Sequence, residues 1–445
     1  MKQIMKRVGT FLLTATMVIS MVACSTAKNG TTGTDNTATN DQGNTTAQTE
    51  EKVTLDYWEI YTTDPQKSME EQIVNQWNQD NPNIQVKISA TENDAYKTKI
   101  KTAISANEAP DIIYSWTYGF MQPFVEAGKL LELDKYMEED NYKDKFLPAM
   151  LESVTYNGKI YGIPEGASAG ALYVNNDLFT QYNVKVPTTW DELLAAVKTF
   201  NDNGIIPMGV GEKDLWTGMW YYNMLAVREA GSKLSTDALT NNASFEDPAF
   251  AKAAADLLEL VEANAFDPGV LGVSNDEAQV QFTQGKCAMF FGGNWYAGTF
   301  EADDSPVKGK VSAVPFPTID GQKGDPNEYL GGPGNGLLIS ANTKYPDAAV
   351  KAAKYIVEQQ TAADYLTGTG LPTMKVTVDE SKINPLTKQI VTNIVGKSTG
   401  CVQAWDIFLT SDAANTHKDL VAKLFGKQIN AEEFGKQMQE QINSK

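Results

Sequence analysis

Arginine is almost missing from this 445-residue chain: beyond Arg7, near the N-terminus, the only one is Arg228. The only histidine is His417. Guanidinium forks are the usual grip on carboxylates and phosphates, so an anionic ligand loses its commonest recognition group and is left with lysines or helix N-termini. A single imidazole argues against zinc clusters and histidine general-base chemistry; we expect no metal and no cofactor. Basic charge is scarce overall. Against 56 Asp+Glu stand 37 Lys+Arg, a formal net charge of −19, with no basic stripe for a phosphate backbone, so nucleic acid is not an expected partner. Of the cysteines, Cys287 and Cys401 are free to pair in an oxidising compartment, although two buried free thiols is the plainer reading. What is abundant is ordinary. Hydrophobic residues at 42% and charged residues at 21% describe a globular protein with ample core, and the length suits two domains.

The N-terminus carries an address. Lys2, Lys6 and Arg7 precede an apolar run from Val8 to Val22 of about 15 residues, short of the ~20 that a membrane helix needs. The run ends in Met21-Val22-Ala23-Cys24, which resembles a bacterial lipoprotein box. The resemblance implies a signal peptide over 1–23 and lipidation of Cys24; the alternative is an ordinary secretory signal with a chance cysteine. Residues 24–52 contain no aromatic and no large aliphatic side chain, and cannot bury enough surface to offset their ordering entropy. They read as a tether with a reach on the order of 30 Å.

From residue 53 the pattern alternates. Val53 to Trp58 reads as a strand, Pro65 to Gln79 as a helix, Ile84 to Ile88 as a strand, Tyr96 to Ala106 as a helix and Pro110 to Ile113 as a buried strand. That rhythm predicts an α/β domain with a largely parallel sheet. Asn157-Gly158 marks a hairpin turn within Val154–Tyr161. Further helices are predicted over Thr189–Asp202, Asp247–Glu262, Tyr345–Gln360 and His417–Phe425.

Several blocks then occur in a set order: APDIIYSW from Ala109, FVEAGKLLELDKYM from Phe124, YNGKIYGIP from Tyr156, ALYVNNDLFTQYNVKVPTTWDELL from Ala171, QFTQGKCAMFFGGNW from Gln281 and LFGKQINAEEF from Leu424. The ordered set resembles family 1 extracellular solute-binding proteins of ABC importers, the group that includes maltose-binding proteins. The resemblance implies a two-lobed, type II periplasmic-binding-protein-like fold, each lobe an α/β sandwich with the ligand cleft between them. One lobe would comprise 53–171 plus 316–366 and the other 172–315 plus 367–445, with crossings near Ala171–Tyr173, Val311–Pro315 and Tyr365–Pro372. It further implies a monomeric, non-enzymatic binder of a sugar or oligosaccharide, anchored on the extracellular face of the bacterial membrane, that passes its ligand to permease subunits.

A sugar presents C–H faces for aromatic rings and hydroxyls for carboxylates and amides. Trp295, with Asn294 beside it, follows the predicted strand Cys287–Phe291, and the resemblance places a stacking tryptophan there. Trp116 and Tyr118 lie just past Asp111-Ile112-Ile113, where the family loop meets ligand. By the same match Tyr61 and Asp64 occupy the loop after the first strand, Asp214 and Trp216 a loop of the second lobe with Trp220 one turn on, and Glu165 and Ser168 the approach to the first crossing. Trp405-Asp406 forms a candidate stacking and acceptor pair. Trp58 suits either core or cleft mouth, while Trp77 and Trp190 sit on helix faces as core.

Rival readings are weaker. Gly166-Ala167-Ser168-Ala169-Gly170 matches the G-x-S-x-G elbow of hydrolases, but the strand-like Ala171–Val174 follows where a helix is required. A glycosidase needs only two carboxylates, a signal without specificity here. Gly331–Gly336 precedes Leu337-Leu338-Ile339 and reads as a turn rather than a phosphate loop. Among binders, a cationic ligand such as a polyamine or basic peptide is the alternative, because aromatic boxes and acids also suit ammonium groups.

Overall fold

Alternation along Val53–Glu59 buries Leu55, Tyr57 and Glu59 and leaves Thr54 and Asp56 in solvent, and this segment forms strand β1. A computed structural model describes residues 52–444, and the structural statements that follow concern them. The segments expected to be a signal sequence and most of a tether, with Cys24 between them, lie outside the described residues. The remaining strands are β2 (Ile84–Ala90), β3 (Ile112–Trp116), the hairpin β4 (Thr155–Tyr156) and β5 (Lys159–Ile160), β6 (Gly162–Asn175), β7 (Ile206–Gly209), β8 (Cys287–Gly293), β9 (Val311–Val314), β10 (Tyr329–Ile339) and β11 (Cys401–Val402). The Asn157-Gly158 turn takes φ of 51° and 77°, the left-handed pair that such two-residue hairpins require.

The sheet runs in the order β2-β1-β3-β10-β6-β8-β7, with β11 on β10 and β9 on β6. Its strands are mixed rather than largely parallel. Only β1 with β2 and β3, β7 with β8, and β10 with β11 are parallel; β10 runs antiparallel to β3 and β6, as β6 does to β8 and β9. The cause is the return of the chain: β10 arrives late in the sequence and slots between β3 and β6 against their direction. β6 has 14 residues and serves both halves of the molecule. Its Gly162–Ala169 portion pairs with β10, and its Gly170–Asn175 portion with β8 and β9. Helices Gln66–Asp80 and Pro346–Thr367 pack together over the first half, whereas Trp216–Leu239, Pro248–Glu262, Ser411–Phe425 and Ala431–Asn443 pack over the second. The result is the two-lobed α/β architecture, with helices covering both parts of the sheet.

Three details differ from expectation. The run Gly331–Gly336 is strand, not turn: Gly331 and Gly332 hold φ of 145° and 127°, and a Cβ at Gly331 would sit 2.3 Å from the Ser168 carbonyl oxygen. Those glycines let two backbones approach where the ladder shifts register around Pro333–Gly336. Helices Pro346–Thr367 and Ser411–Phe425 are longer than their apolar periodicity suggested, the first running on to a left-handed Gly368 cap. Cys287 is a buried free thiol, but Cys401 is exposed and equally free, so the two do not pair. Trp77 and Trp190 are core, and Trp58 is half-buried with the Lys99 ammonium 4.0 Å from its ring centroid.

The two scarce side chains are structural. Arg228 is buried and donates to the carbonyls of Phe316, Pro317 and Glu328, tying the segment between β9 and β10 to the Trp216–Leu239 helix. Burial draws its guanidinium down to about 10. His417 is fully buried, stacked on Trp405, with Nε2 2.8 Å from the Asn223 amide. Burial holds it near 3, hence neutral.

Candidate functional site

The ends of β1, β3 and β8 release their chains toward one cavity of about 490 Å³. That is a volume suited to a small molecule or a short oligomer, and the placement at strand ends is where open α/β sheets bind ligands. From β1 come Ile60, Tyr61, Thr62 and Thr63; from β3, Tyr114 and Trp116; from β8, Asn294, Trp295 and Tyr296. Beside the β8 residues the lining adds Asp214, Trp216 and Trp220, then Ser274, Asn275 and Asp276 at the start of helix Asn275–Thr283. Ser168 of β6, Asn335 of β10, Asp364 and Asp406 close the floor and sides.

The tryptophans form two groups. Trp295 is half-buried and lies between Trp216, at 6.0 Å and tilted 54°, and Trp220, at 5.0 Å and nearly perpendicular. Trp216 follows Leu215, whose φ of 62° is costly for a leucine and turns the chain so that the helix begins at the cavity wall. On the other side Trp116 is wedged edge-on among Tyr96, Tyr114 and Phe120, with the Lys97 ammonium 4.6 Å from its ring centroid. Lys97 in turn contacts Asp406 at 2.9 Å. Burial opposes the charge on both partners, but Asp406 and Asp94 keep Lys97 above its ordinary range, and Lys97 and Lys418 keep Asp406 below its own.

At and beneath the floor lies a group of acids whose carboxyls burial pushes above their ordinary range. Tyr61 donates its hydroxyl to Glu165 Oε1 at 2.6 Å, and Asn335 Nδ2 donates to Oε2 at 3.3 Å. Gln360 donates to the Tyr61 oxygen at 3.1 Å. Burial pushes Glu165 up to about 8, partly offset by the Tyr61 bond and reinforced by Asp364. Burial likewise raises Asp364 to about 7 against the hydrogen bond from Thr369, and Glu59 to about 7 against the Tyr61 N–H. Glu70, buried beside them, is also raised well above the ordinary range by burial and then by Glu165 and Glu59. On the outer wall, burial raises Asp276, with the charges of Asp214 and Glu92 adding to it.

The structure brings together Trp295, Asn294, Trp116, Asp214, Trp216, Tyr61, Ser168 and Asp406 around this cavity. Some are already engaged: Asn294 Oδ1 accepts from Ala169 N at 2.8 Å, and Asp214 Oδ2 from Asn275 N at 2.7 Å. Glu165 lies behind Tyr61 rather than on the cavity surface. Three candidates sit elsewhere. Trp405 is fully buried, packed by Tyr222, Phe245, Phe250 and His417, because its side chain turns inward at the start of a short helix while Asp406 faces the cavity. Tyr118 stacks on Phe408 at 4.9 Å. Asp64 is exposed and binds Ser68 N and Oγ in the first turn of helix Gln66–Asp80. Residues that sequence reasoning missed include Glu92, Lys97, Asp276, Asn335 and Asp364. Only the boundary positions of Glu92 and Asp276, at helix starts, offered any signal.

The serine-hydrolase arrangement does not form: Ser168 sits within β6, its Oγ near Gln403 Oε1 at 3.4 Å, while His417 is enclosed with Asn223. Among the described residues there is no group of three or more His, Cys, Asp or Glu that could hold a metal ion, and no helix long and apolar enough to cross a membrane.

Comparison with known proteins agrees with this geometry. The family described as bacterial extracellular solute-binding protein matches residues 60–363. A solved structure from a study of xylan utilization by the thermophilic bacterium Caldanaerobius polysaccharolyticus is 56% identical, with a TM-score of 0.86, covering 88% of this chain and 100% of that one. A chitin oligosaccharide binding protein is 27% identical, with a TM-score of 0.80 over 88% of this chain and 98% of its own. The multiple sugar-binding protein of Streptococcus mutans is 25% identical over 76% of this chain and 79% of its length.

Proposed function

This chain belongs to the bacterial extracellular solute-binding proteins, and from that premise we propose that it captures a neutral oligosaccharide of the class released from xylan and delivers it to the permease of an ABC importer. The observation that carries the reading is the cavity itself, lined both by the half-buried indoles of Trp216 and Trp295 and by hydroxyl-seeking groups such as Asn335, Ser168 and Asp214. Flat apolar faces and fixed polar groups are the two things a pyranose needs. The 56% identity to a protein studied for xylan utilization narrows the sugar. Binding is reversible and involves no covalent chemistry.

In this reading the lobes are 53–171 plus 316–366 and 172–315 plus 367–445, joined by β6 and two later crossings, and the cavity lies where they meet. Ligand contacts to both lobes favour the closed state, because only differential affinity shifts such an equilibrium. Cys24 carries a lipid anchor and residues 25–52 a tether, which keep a monomer at the outer membrane face. Exchanging Cys24 for Ser should release the protein into the medium; retention in the membrane fraction would remove the anchor from the account.

A titration series of xylo-, cello-, malto- and chito-oligosaccharides, followed by melting temperature and calorimetry, tests the ligand class. Xylo-oligosaccharides should raise the melting temperature most. No response to any neutral sugar would overturn the reading. One observation favours a second reading, an ammonium-bearing ligand: acids outnumber bases on the cavity wall. Spermidine affinity that is high and falls steeply with salt would support that alternative.

A further inference from the structure

The six ionisable side chains that line the cavity and carry a carboxyl or ammonium are Glu92, Asp214, Asp276, Asp364, Asp406 and Lys97. The one cation is spent, since Lys97 is held 2.9 Å from Asp406 and over the face of Trp116. No arginine reaches the cavity, because Arg228 is committed to three backbone carbonyls elsewhere. On the wall, Asp214 is fixed by the Asn275 N–H, which sets its carboxylate beside Asp276. Glu92, from the other half of the molecule, has a carboxylate that caps the Asn93–Ala106 helix through Asp94 N and Ala95 N. A guest is therefore met by carboxylates from both sides and by no unpaired cation among the described residues.

We propose that the Glu92, Asp214 and Asp276 carboxylates make this site selective against acidic saccharides, so that it takes neutral xylo-oligosaccharides and rejects those bearing uronic acid side groups. The inference rests on the proposed function and deepens it. A sugar carboxylate brought within several ångströms of these groups meets like charge in a partly desolvated cavity, and no ammonium or guanidinium is free to answer it. Hydroxyl recognition is indifferent to this field. Charge, rather than bulk, sets the limit on which decorated chains enter.

The test compares xylotriose, xylotriose carrying one methylglucuronic acid, and xylotriose carrying one arabinose, each titrated calorimetrically into the full-length mature protein at low and moderate salt. The arabinosyl compound controls for the size of a side group. The uronate should bind more weakly than the arabinosyl compound, on the order of tenfold or more at low salt, and the gap should narrow at 0.3 M salt as the ions screen it. Replacing Glu92 with Gln and Asp276 with Asn should narrow the same gap, whatever happens to absolute affinity. Equal binding of uronate and arabinosyl compounds, or a gap that neither salt nor those variants change, overturns the charge argument while leaving the functional reading intact. Failure of xylotriose itself to bind overturns that reading and this inference with it.

Discussion

Glu165 should make the protein less stable as pH rises through neutrality, and removing its charge should flatten that dependence. The carboxyl is 1% exposed and accepts from Tyr61 and Asn335, with Glu59, Glu70 and Asp364 nearby and no buried cation among the groups that act on it. Its native value of about 8 lies above the ordinary carboxyl value of 4.5. Below 4.5 both states are protonated and the stabilising difference is complete. Between there and about 8 the unfolded chain has released a proton that the native state still holds. Stability therefore falls with pH at up to about 1.4 kcal/mol per pH unit for this one group, and stops falling above about 8. From pH 5 to pH 8 the ceiling is on the order of 4 kcal/mol, with Glu59, Asp364 and Asp256, all raised to about 7 mainly by burial, adding to the slope below neutrality. Glu165→Gln keeps an acceptor for Tyr61 and cannot ionise. Urea unfolding followed by tryptophan fluorescence at pH 5, 6, 7 and 8 should give a wild-type midpoint that falls with pH and a variant midpoint that falls less steeply. Parallel curves for the two proteins would refute the claim that Glu165 is held neutral beneath the cavity floor.

Two tryptophans separate binding from folding. Trp295→Ala should weaken sugar binding by roughly 1–3 kcal/mol in calorimetry. Trp405→Ala should instead lower stability by about 3–5 kcal/mol in urea unfolding, since its ring fills core among Tyr222, Phe245 and Phe250. Arg228→Met should leave the carbonyls of Phe316, Pro317 and Glu328 without their donor, at a cost of about 2–3 kcal/mol in the same assay, with xylo-oligosaccharide affinity little changed.

Local pattern carried the reading a long way in some places and failed in others for identifiable reasons. Strand Val53–Glu59 was legible because its burial alternates, and the helices that follow Thr189 and Asp247 because a side-chain cap marks the start of each apolar-periodic run. The glycine run at Gly331 was not, since its reason for existing is the Ser168 backbone on another strand, which no local window contains. Site aromatics at strand ends were visible by type and place. Trp405 and Asp406 show the limit: adjacent residues of an equally promising pair point in opposite directions, one to core and one to cavity. Lys97 and Asp364 were hidden because each sits inside a helix whose cavity-facing side is fixed only by how that helix packs.

β6 imposes a restriction on how relatives of this protein can drift in length. One strand sets the register of both sheet portions, with Ser168 opposite Gly332 at one end and Leu172 opposite Phe291 at the other. Inserting or deleting a single residue in it would turn every following side chain to the wrong face and misalign β8 and β9 together. Gains and losses of chain should therefore collect in connections outside β6, such as the largely exposed stretch 302–310, where no such double duty holds the count fixed.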